Sequence, residues 1–343
     1  MKKLANVLYV TTPEAYLTLD GENVVVKKDE NTSTRLPLHN LENIVCFNYL
    51  GASPALMGAC AEHNVGLCFL SPNGRFLARV TGKVKGNVLL RKKQYAVSEK
   101  NEESVPIAAS FLLGKIANCR KVIERALRDH AMLVDVQVLS KASTSLKETL
   151  SVIQDCKTIG DLMGFEGSAA KIYFGVFDQL ILQQREDFSF KERSRRPPLD
   201  NLNSLLSFLY TLLTNDVASA LETVGLDPYV GFLHQDRPGR PSLALDLVEE
   251  LRPVFADRLA LSLVNRKQVT GKGFTQKESG GILMDDDTRK TVLTAWQERK
   301  KEEILHPYLK ERIPFGLIPH VQALLLARFL RGDIDAYPPF FWN

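Results

Sequence analysis

The sequence predicts an α+β protein, with a small β-rich domain at the N-terminus and an all-helical domain after it. Up to about residue 100, apolar residues occur in short runs between turn residues, which is typical of strands. Beyond that point they recur at the three- and four-residue spacing of helices. The polar stretch 100–104 precedes Pro106 and separates the two patterns. We therefore predict two domains, residues 1–100 and residues 101–343.

The elements of the first domain are predicted from short apolar runs and the turn residues that bound them. Asp20 and Gly21 lie between two such runs and predict a hairpin, because glycine accepts the positive φ of a tight turn. An alanine-containing run that begins at Pro54 predicts a short helix. The predicted strands are 7–10, 15–19, 23–26, 44–47, 66–70 and 75–80, with the helix at 54–61 and a turn at 72–74.

The second domain is predicted to consist of amphipathic helices. Glu166, Ala170 and Tyr173 fall on one face of a helix, beside small residues that would let a neighbouring helix or a ligand approach closely. The stretch 193–198 is a basic loop that ends in two prolines. Longer predicted helices span 107–128, 133–157, 202–224, 243–264 and 321–330.

Composition limits the class of protein. The chain has 343 residues and a net charge of only +4, so any nucleic-acid binding must depend on where the basic residues lie. Its five cysteines are odd in number and none has CxxC spacing, which favours reduced thiols over a zinc site or disulfides. The sequence has no signal-peptide pattern and no apolar run of membrane-spanning length. We therefore expect a cytoplasmic protein that does not bind membranes.

The strongest chemical signal is a polar loop that leads into an amphipathic helix. The loop carries His234, and the helix carries Asp246 and Glu249, which a three-residue spacing places on one face. A histidine with carboxylates beside arginines suggests a divalent metal that acts on a phosphate. Alternatively, the histidine is structural and the carboxylates form a solvated face, although Asp246 lies between two leucines and so needs a partner. Spacing alone leaves both interpretations open.

Several motifs together resemble one family. They occur throughout the helical half, whereas the N-terminal half matches mainly in its β character. The chain resembles the CRISPR-associated integrase and endonuclease family, the universal first subunit of spacer acquisition, and in particular its type I, subtype C branch. The matching stretches are 164–167 with Ala170 and 173–174, 231–234, 239–249, 263–266, 295–301, 306–307, 330–333 and 337–340.

The resemblance implies a β domain joined to a helical catalytic domain whose metal ligands are Glu166, His234 and Glu249. Asp246 matches an accessory acidic position, and Glu249 stands where the family often has the shorter aspartate. Arg252 falls where the family often has a basic residue that faces DNA. The resemblance also implies a homodimer formed through the β domains. Two such dimers would flank one dimer of the small second CRISPR-associated protein in a heterohexamer.

The chemistry of this ligand set suits a particular class of ion. Two carboxylates and one imidazole suit Mg²⁺ or Mn²⁺, and the imidazole slightly favours Mn²⁺. Such an ion would polarise a DNA phosphoryl oxygen and activate water or a DNA 3′-hydroxyl for attack, so no protein nucleophile is required.

Basic residues could hold the DNA backbone without recognising its sequence. We expect double-stranded DNA, as prespacer and as CRISPR repeat, to contact arginines near the site, although for many of these residues an ordinary solvated surface is the alternative. The arginines are Arg237, Arg240, Arg252 and Arg266, and two further basic clusters are Lys83, Lys85, Arg91, Lys92 and Lys93, and Arg193, Arg195 and Arg196.

The predicted function is a metal-dependent DNA endonuclease and integrase that inserts short foreign DNA segments into a CRISPR array by transesterification. Two rival functions make different predictions. A non-catalytic DNA-binding scaffold of the same fold would have lost its ligands. A His/carboxylate hydrolase of a small substrate would have a deep apolar pocket in place of an open basic face.

Overall fold

The computed structural model describes residues 6–28, 33–71, 76–82 and 88–342, which group into two compact units. The first unit comprises the described residues up to 82 together with 286–302, and the second comprises 88–285 and 303–342. The β-rich region followed by helices confirms the predicted fold class. Dimerisation and catalysis, the roles assigned to the two predicted domains, stay predictions.

The elements follow one another along the chain with clear bounds. The strands are β1 (Asn6–Val10), β2 (Tyr16–Asp20), β3 (Asn23–Lys27), β4 (Ser33–Pro37), β5 (Leu41–Cys46), β6 (Gly66–Leu70), β7 (Phe76–Val80), β8 (Phe274–Gln276), β9 (Ile282–Met284), β10 (Glu303–Leu305) and β11 (Arg312–Pro314). The helices are α1 (Pro54–His63), α2 (Val88–Ser98), α3 (Asn101–Asp129), α4 (Val136–Ile153), α5 (Ile159–Gly175), α6 (Asn201–Val224), α7 (Ser242–Arg252), α8 (Arg258–Asn265), α9 (Asp286–Lys301) and α10 (Ile318–Arg331).

The first unit contains two sheets. One has the strand order β1-β5-β6-β7, in which β1, β5 and β6 run parallel and β7 antiparallel. The other is the antiparallel sheet β2-β3-β4, whose first turn is the predicted hairpin, with Gly21 at φ +56°. Strand β4 was not predicted, because its sequence STRLP contains no apolar run. The predicted turn at 72–74 lies outside the described residues. Leu17, Val24 and Ile44 are fully buried in the core of this unit.

The second unit is built around α3, which packs against α4, α5 and α7. The helix predicted at 243–264 is present but interrupted, because Pro253 has no N–H to donate to the carbonyl of Glu249. The chain instead forms a π-helical turn over Pro253–Asp257, closed by a bond from the N–H of Arg258 to the carbonyl of Pro253. The unit also contains the hairpins β8-β9 and β10-β11, whose three-residue strands are too short to show an alternating pattern.

Residues 337–342 are held against α3 and α7 by buried hydrogen bonds. Asn118 Nδ2 donates to the carbonyls of Glu250 and Phe340, and its Oδ1 accepts from the N–H of Trp342 at 2.8 Å. The Glu250 carboxyl accepts from Tyr337 Oη at 2.6 Å and from the N–H of Phe340 at 2.8 Å. This network fixes the residue next to Glu249.

Two further properties bear on the sequence expectations. All five cysteines carry free thiols, and four of them are buried. Among the described residues, no helix is long and apolar enough to cross a membrane.

The Glu250 carboxyl should make stability depend on pH. Burial raises its pKa to about 7, although the Tyr337, Phe340 and Gln322 donors act in the opposite direction. Since the folded pKa is above the unfolded value, the stabilisation is fully present below about pH 4.5 and is lost as pH rises through 7. We expect Glu250→Gln to remove this dependence. As the pH is raised from about 4.5 to 8, the wild-type protein should lose about 3 kcal/mol of unfolding free energy relative to the Glu250→Gln variant.

The measurement is chemical unfolding of both proteins across this pH range, with Glu148→Gln on the exposed face of α4 as the control. A constant difference between Glu250→Gln and wild type would contradict the raised pKa. The control should show no change with pH relative to wild type.

Candidate metal centre

The candidate site lies within the second unit, where α3, α5 and α7 bring side chains together. Glu166 lies in the middle of α5, a helix that begins where Thr158 Oγ1 accepts the N–H of Asp161 at 3.1 Å. Glu249 lies on α7, one turn before the π-helical segment. Both carboxylates face Lys115 of α3.

Lys115 forms ion pairs with both proposed carboxylate ligands. Its Nζ contacts Oε1 of Glu166 and lies 2.7 Å from Oε2 of Glu249. The side chains of Lys115 and Glu249 are 8% and 2% exposed, whereas that of Glu166 is 30% exposed, so the site opens to solvent on the Glu166 side. Lys115 is not among the residues predicted from the sequence to form the site. The available signal was a lysine on the apolar stripe of α3, one turn from Leu112 and Cys119.

Glu249 has a second cationic partner in Arg252. Arg252 Nη1 lies 2.6 Å from Glu249 Oε1, and its guanidinium lies 5.0 Å from the centre of the Tyr210 ring. Tyr210 Oη in turn donates to Asp257 at 2.6 Å. The Arg252 side chain is 14% exposed. Its predicted contact with DNA stays a prediction, while its position beside Glu249 gives it a role within the site.

These charges determine the ionisation of the site. Burial raises the pKa of Glu249, but the charges of Arg252 and Lys115 outweigh burial and bring it to about 2. Burial lowers the pKa of Lys115, but the carboxylates of Glu249 and Glu166 outweigh this effect and leave it raised. Near neutral pH, Glu249 is therefore a carboxylate and Lys115 an ammonium.

Asp246 organises the loop that carries His234. Its Oδ2 accepts the N–H groups of Phe232 and Leu233, and its Oδ1 accepts the N–H of His234 at 2.9 Å. Oδ1 also lies 2.7 Å from Nδ1 of the His234 ring. A carboxylate can only accept, so Nδ1 carries the proton and the lone pair of Nε2 is left for a ligand. Asp246 thus orients the His234 ring, and both of its oxygens already accept hydrogen bonds from the loop.

The loop also depends on a glycine. A Cβ at Gly231 would lie 2.9 Å from Asp246 Oδ2 and from the carbonyl oxygen of His234, which is closer than real Cβ atoms approach. Only glycine therefore allows the backbone to pass this close to the carboxylate.

The donor set fits a divalent cation, although the ligands are not gathered into a cage. Across the described ranges, no three His, Cys, Asp or Glu side chains are grouped closely enough to hold a metal ion. An ammonium instead stands between two of the proposed ligands. Oε2 of Glu249 is buried, and Lys115 Nζ lies 2.7 Å from it as its ion-pair partner. As a donor set, two carboxylates and the Nε2 atom of an imidazole match the ligand preferences of Mn²⁺ or Mg²⁺.

The other predicted DNA-binding arginines lie on the surface of the second unit. Arg237 and Arg266 are exposed and Arg240 is half-buried. Arg237 and Arg240 are joined by a turn in which the N–H of Arg240 donates to the carbonyl of Arg237 at 3.0 Å. Of the two further clusters, Arg195 and Arg196 are exposed, whereas Arg193 stacks on Tyr210 at 5.0 Å. Lys83 and Lys85 lie outside the described residues.

Comparisons with known proteins give a consistent result. Residues 8–298 match the family model described as CRISPR associated protein Cas1. The chain is 54% identical to CRISPR-associated endonuclease Cas1 2 of Rhodospirillum rubrum over the full length of both chains. It is 50% identical to CRISPR-associated endonuclease Cas1 1 of Chlorobaculum tepidum, again over the whole of both.

Solved structures share the fold. The structure described as a casposase bound to integration product superposes with a TM-score of 0.84 at 20% identity, covering 98% of this chain and 94% of the other. A component of a Cas6-RT-Cas1–Cas2 complex superposes with a TM-score of 0.81 at 22% identity and covers all of this chain and 36% of that one. At these identities the likeness establishes the fold.

We expect Asp246→Asn to disorganise the loop. The asparagine amide would turn an N–H₂ group toward backbone N–H donors, which leaves buried donors without acceptors and lowers the unfolding free energy by about 2 kcal/mol or more. Where the N–H₂ group replaces Oδ1, the proton on Nδ1 of His234 would lose its acceptor as well. Chemical unfolding and the ¹⁵N shifts of the labelled histidine rings measure the two effects. Asp155→Asn, an exposed position with the same charge change, is the control.

If the Asp246→Asn variant keeps both the wild-type stability and the Nδ1–H form of His234, Asp246 does not organise this loop. The Asp155→Asn control should match wild type in both measurements.

Proposed function

The chain belongs to the Cas1 family, and on that premise we propose that it is a metal-dependent DNA endonuclease and integrase that inserts short DNA segments into a CRISPR array. Relatives at 50–54% identity are named CRISPR-associated endonucleases, which supports the nuclease activity. The proposal that the activity depends on a metal is supported by the geometry of the site. Glu166 and Glu249 face one cation, and His234 presents Nε2 from a loop fixed by Asp246.

In the proposed mechanism, Glu166, Glu249 and His234 Nε2 would hold the ion. A bound divalent ion supplies polarisation of the phosphodiester and activation of the attacking hydroxyl. Asp246 accepts the proton on Nδ1 of His234, which makes Nε2 the ring nitrogen that would bind the ion. Arg252 keeps Glu249 ionised and restricts its rotamer through Oε1. In strand joining, a 3′-hydroxyl forms a new P–O bond as the older P–O bond breaks, and the departing 3′-oxygen takes up a proton.

The proposed partners are double-stranded DNA, a second copy of the chain and the small second CRISPR-associated protein. The matched structure described as a casposase bound to integration product supports DNA as a partner. The one described as a Cas6-RT-Cas1–Cas2 complex supports the small second CRISPR-associated protein. The homodimer, the heterohexamer and the subtype C assignment rest on motif resemblance. Neighbouring residues Val24 and Val25 of β3 point to opposite faces of their sheet, yet both are buried. At this position β3 therefore leaves neither face exposed for contact with a second copy of the chain.

The rival functions receive less support. A scaffold that had lost its activity would have lost a ligand residue, whereas the sequence keeps Glu166, His234 and Glu249. A small-substrate hydrolase needs a pocket at its catalytic residues. A cleft of about 400 Å³ in the second unit is lined by Lys93, Val97, Phe329 and Arg331 among others, and none of the proposed ligands lines it.

We expect His234→Ala to reduce metal-dependent cleavage and strand joining at least about 100-fold, because the loss removes a ligand. The fold should survive, since His234 is half-buried in a loop. The measurement is joining of a labelled DNA duplex to a plasmid that carries the repeat, with circular dichroism as a check of folding. His130→Ala, at an exposed position after α3, is the control. A His234→Ala protein that joins strands at the wild-type rate would exclude His234 as a ligand.

Arg237 and Arg240 should position DNA through phosphates. We expect each change to alanine to weaken binding to all sequences and to reduce the slope of log affinity against log salt by about 0.9 per lost phosphate contact. Fluorescence anisotropy at several salt concentrations measures this slope. Arg128→Ala, exposed and paired with Asp129, is the control.

Titrating Arg252→Ala in the same way tests its predicted contact with DNA. If the slope of log affinity against log salt is unchanged in Arg252→Ala, Arg252 does not contact DNA and its role is the ion pair with Glu249. Wild-type slopes for both Arg237→Ala and Arg240→Ala would remove this turn from the DNA-binding surface.

A further inference from the structure

A buried lysine occupies the centre of the proposed metal site, and the ligand assignments give it no role. Lys115 Nζ contacts the Glu166 carboxylate and lies 2.7 Å from Oε2 of Glu249. Its side chain is only 8% exposed and projects from the middle of α3, the helix around which the second unit is built. Burial of a lysine is costly unless opposite charges surround it, as they do here.

The carboxylates need a cation at this point. Glu249 is 2% exposed, and a carboxylate so deeply buried is strongly unfavourable without opposite charge. Arg252 pairs with Oε1 and Lys115 with Oε2, so each oxygen of Glu249 faces its own cation. Removing Lys115 would leave Oε2, which is buried, without a cationic partner.

The position of the ammonium overlaps the position that a divalent ion would need. An ion held by both Glu166 and Glu249 must lie within about 2–2.6 Å of an oxygen of each. Lys115 Nζ contacts Oε1 of Glu166 and Oε2 of Glu249, so an ion that bridged the same two oxygens would need the space that the ammonium occupies. The Arg252 contact, on the other oxygen of Glu249, does not block this space.

We propose that Lys115 is a built-in competitor of the metal, a positioning residue whose ammonium holds Glu166 and Glu249 together until a divalent ion displaces it. The proposal rests on the proposed function, since it concerns the same ligands. It explains why the ligands meet around a cation without forming a ready-made cage. The protein binds metal only from the fraction of molecules in which the lysine has moved away, so the lysine lowers the apparent affinity. Displacement forms and breaks no covalent bond.

The test compares Lys115→Met with Lys121→Met, an exposed lysine on the same helix that gives the same charge change. Mn²⁺ binding is measured on the full chain by electron paramagnetic resonance. Thermal unfolding is measured in EDTA and in saturating Mn²⁺. We expect Lys115→Met to bind Mn²⁺ at least about tenfold more tightly than wild type. Its unfolding midpoint should fall by several degrees in EDTA, and Mn²⁺ should raise it by more than it raises the wild-type midpoint. The control should match wild type in both measurements.

The outcomes separate the two ideas. If wild type binds Mn²⁺ and Lys115→Met binds it equally or more weakly, the competitor role is wrong and the metal site stands. If neither protein binds Mn²⁺ at millimolar concentration, the proposed metal site fails and the inference falls with it.

Two further measurements apply if Lys115→Met does not fold. Lys115→Arg keeps the charge and should bind Mn²⁺ no more tightly than wild type, and tighter binding would overturn the proposal. In wild-type crystals soaked in Mn²⁺, the anomalous peak should lie between Glu166 and Glu249, with Lys115 Nζ no longer touching both. A peak there with the lysine still in place would also overturn it.

Discussion

The arrangement of the second unit depends on one constraint, the burial of the negative charge of Glu249. A carboxylate that is 2% exposed is tolerated because Arg252 and Lys115 each contact one of its oxygens. These cations come from different places in the sequence, one from the next turn of α7 and the other from α3. The ion pairs therefore link the register of α3 to that of α7. The same requirement places one cation at each oxygen of Glu249, while the side chain of Glu166 stays 30% exposed.

Packing of the helices meets this constraint through close approach. A Cβ at Gly114 would lie 2.7 Å from Cβ of Glu250, so the glycine beside Lys115 is what lets α3 approach α7 so closely. The π-helical turn after Arg252 places Asp257 where both Tyr173 and Tyr210 donate to it. Tyr210 then presents its ring to Arg252. The π-helical turn at Pro253 therefore helps to position Arg252, the ion-pair partner of Glu249, through Asp257 and Tyr210. Such turns are frequent at functional sites.

The sequence predicted features that repeat locally and missed those that depend on distant contacts. The hairpin at Asp20-Gly21 and the helix carrying Glu249 follow from turn chemistry and periodicity, and both are present. Strand β4 is polar and becomes a strand only by pairing with β3. Lys115 was missed because its partner Glu166 is 51 positions away and nothing in the spacing joins them. The interruption at Pro253 was open to prediction, since a proline inside a helix removes a hydrogen bond. Family resemblance, rather than spacing, singled out Glu166, and its role as a ligand stays a prediction.

Two of the three carboxyl groups of α7, those of Asp246 and Glu249, differ in how their charges are balanced. Asp246 is balanced by three backbone N–H groups and by His234, all part of a loop that must unfold to leave. Glu249 is balanced on one oxygen by the single side chain of Lys115 and on the other by Arg252. If a divalent ion displaces Lys115 as proposed, it replaces one ammonium at Glu249, whereas Asp246 keeps its three backbone amides. A three-residue spacing on one helix then gives two acids with different roles, one that fixes the imidazole and one that exchanges its partner for the proposed metal.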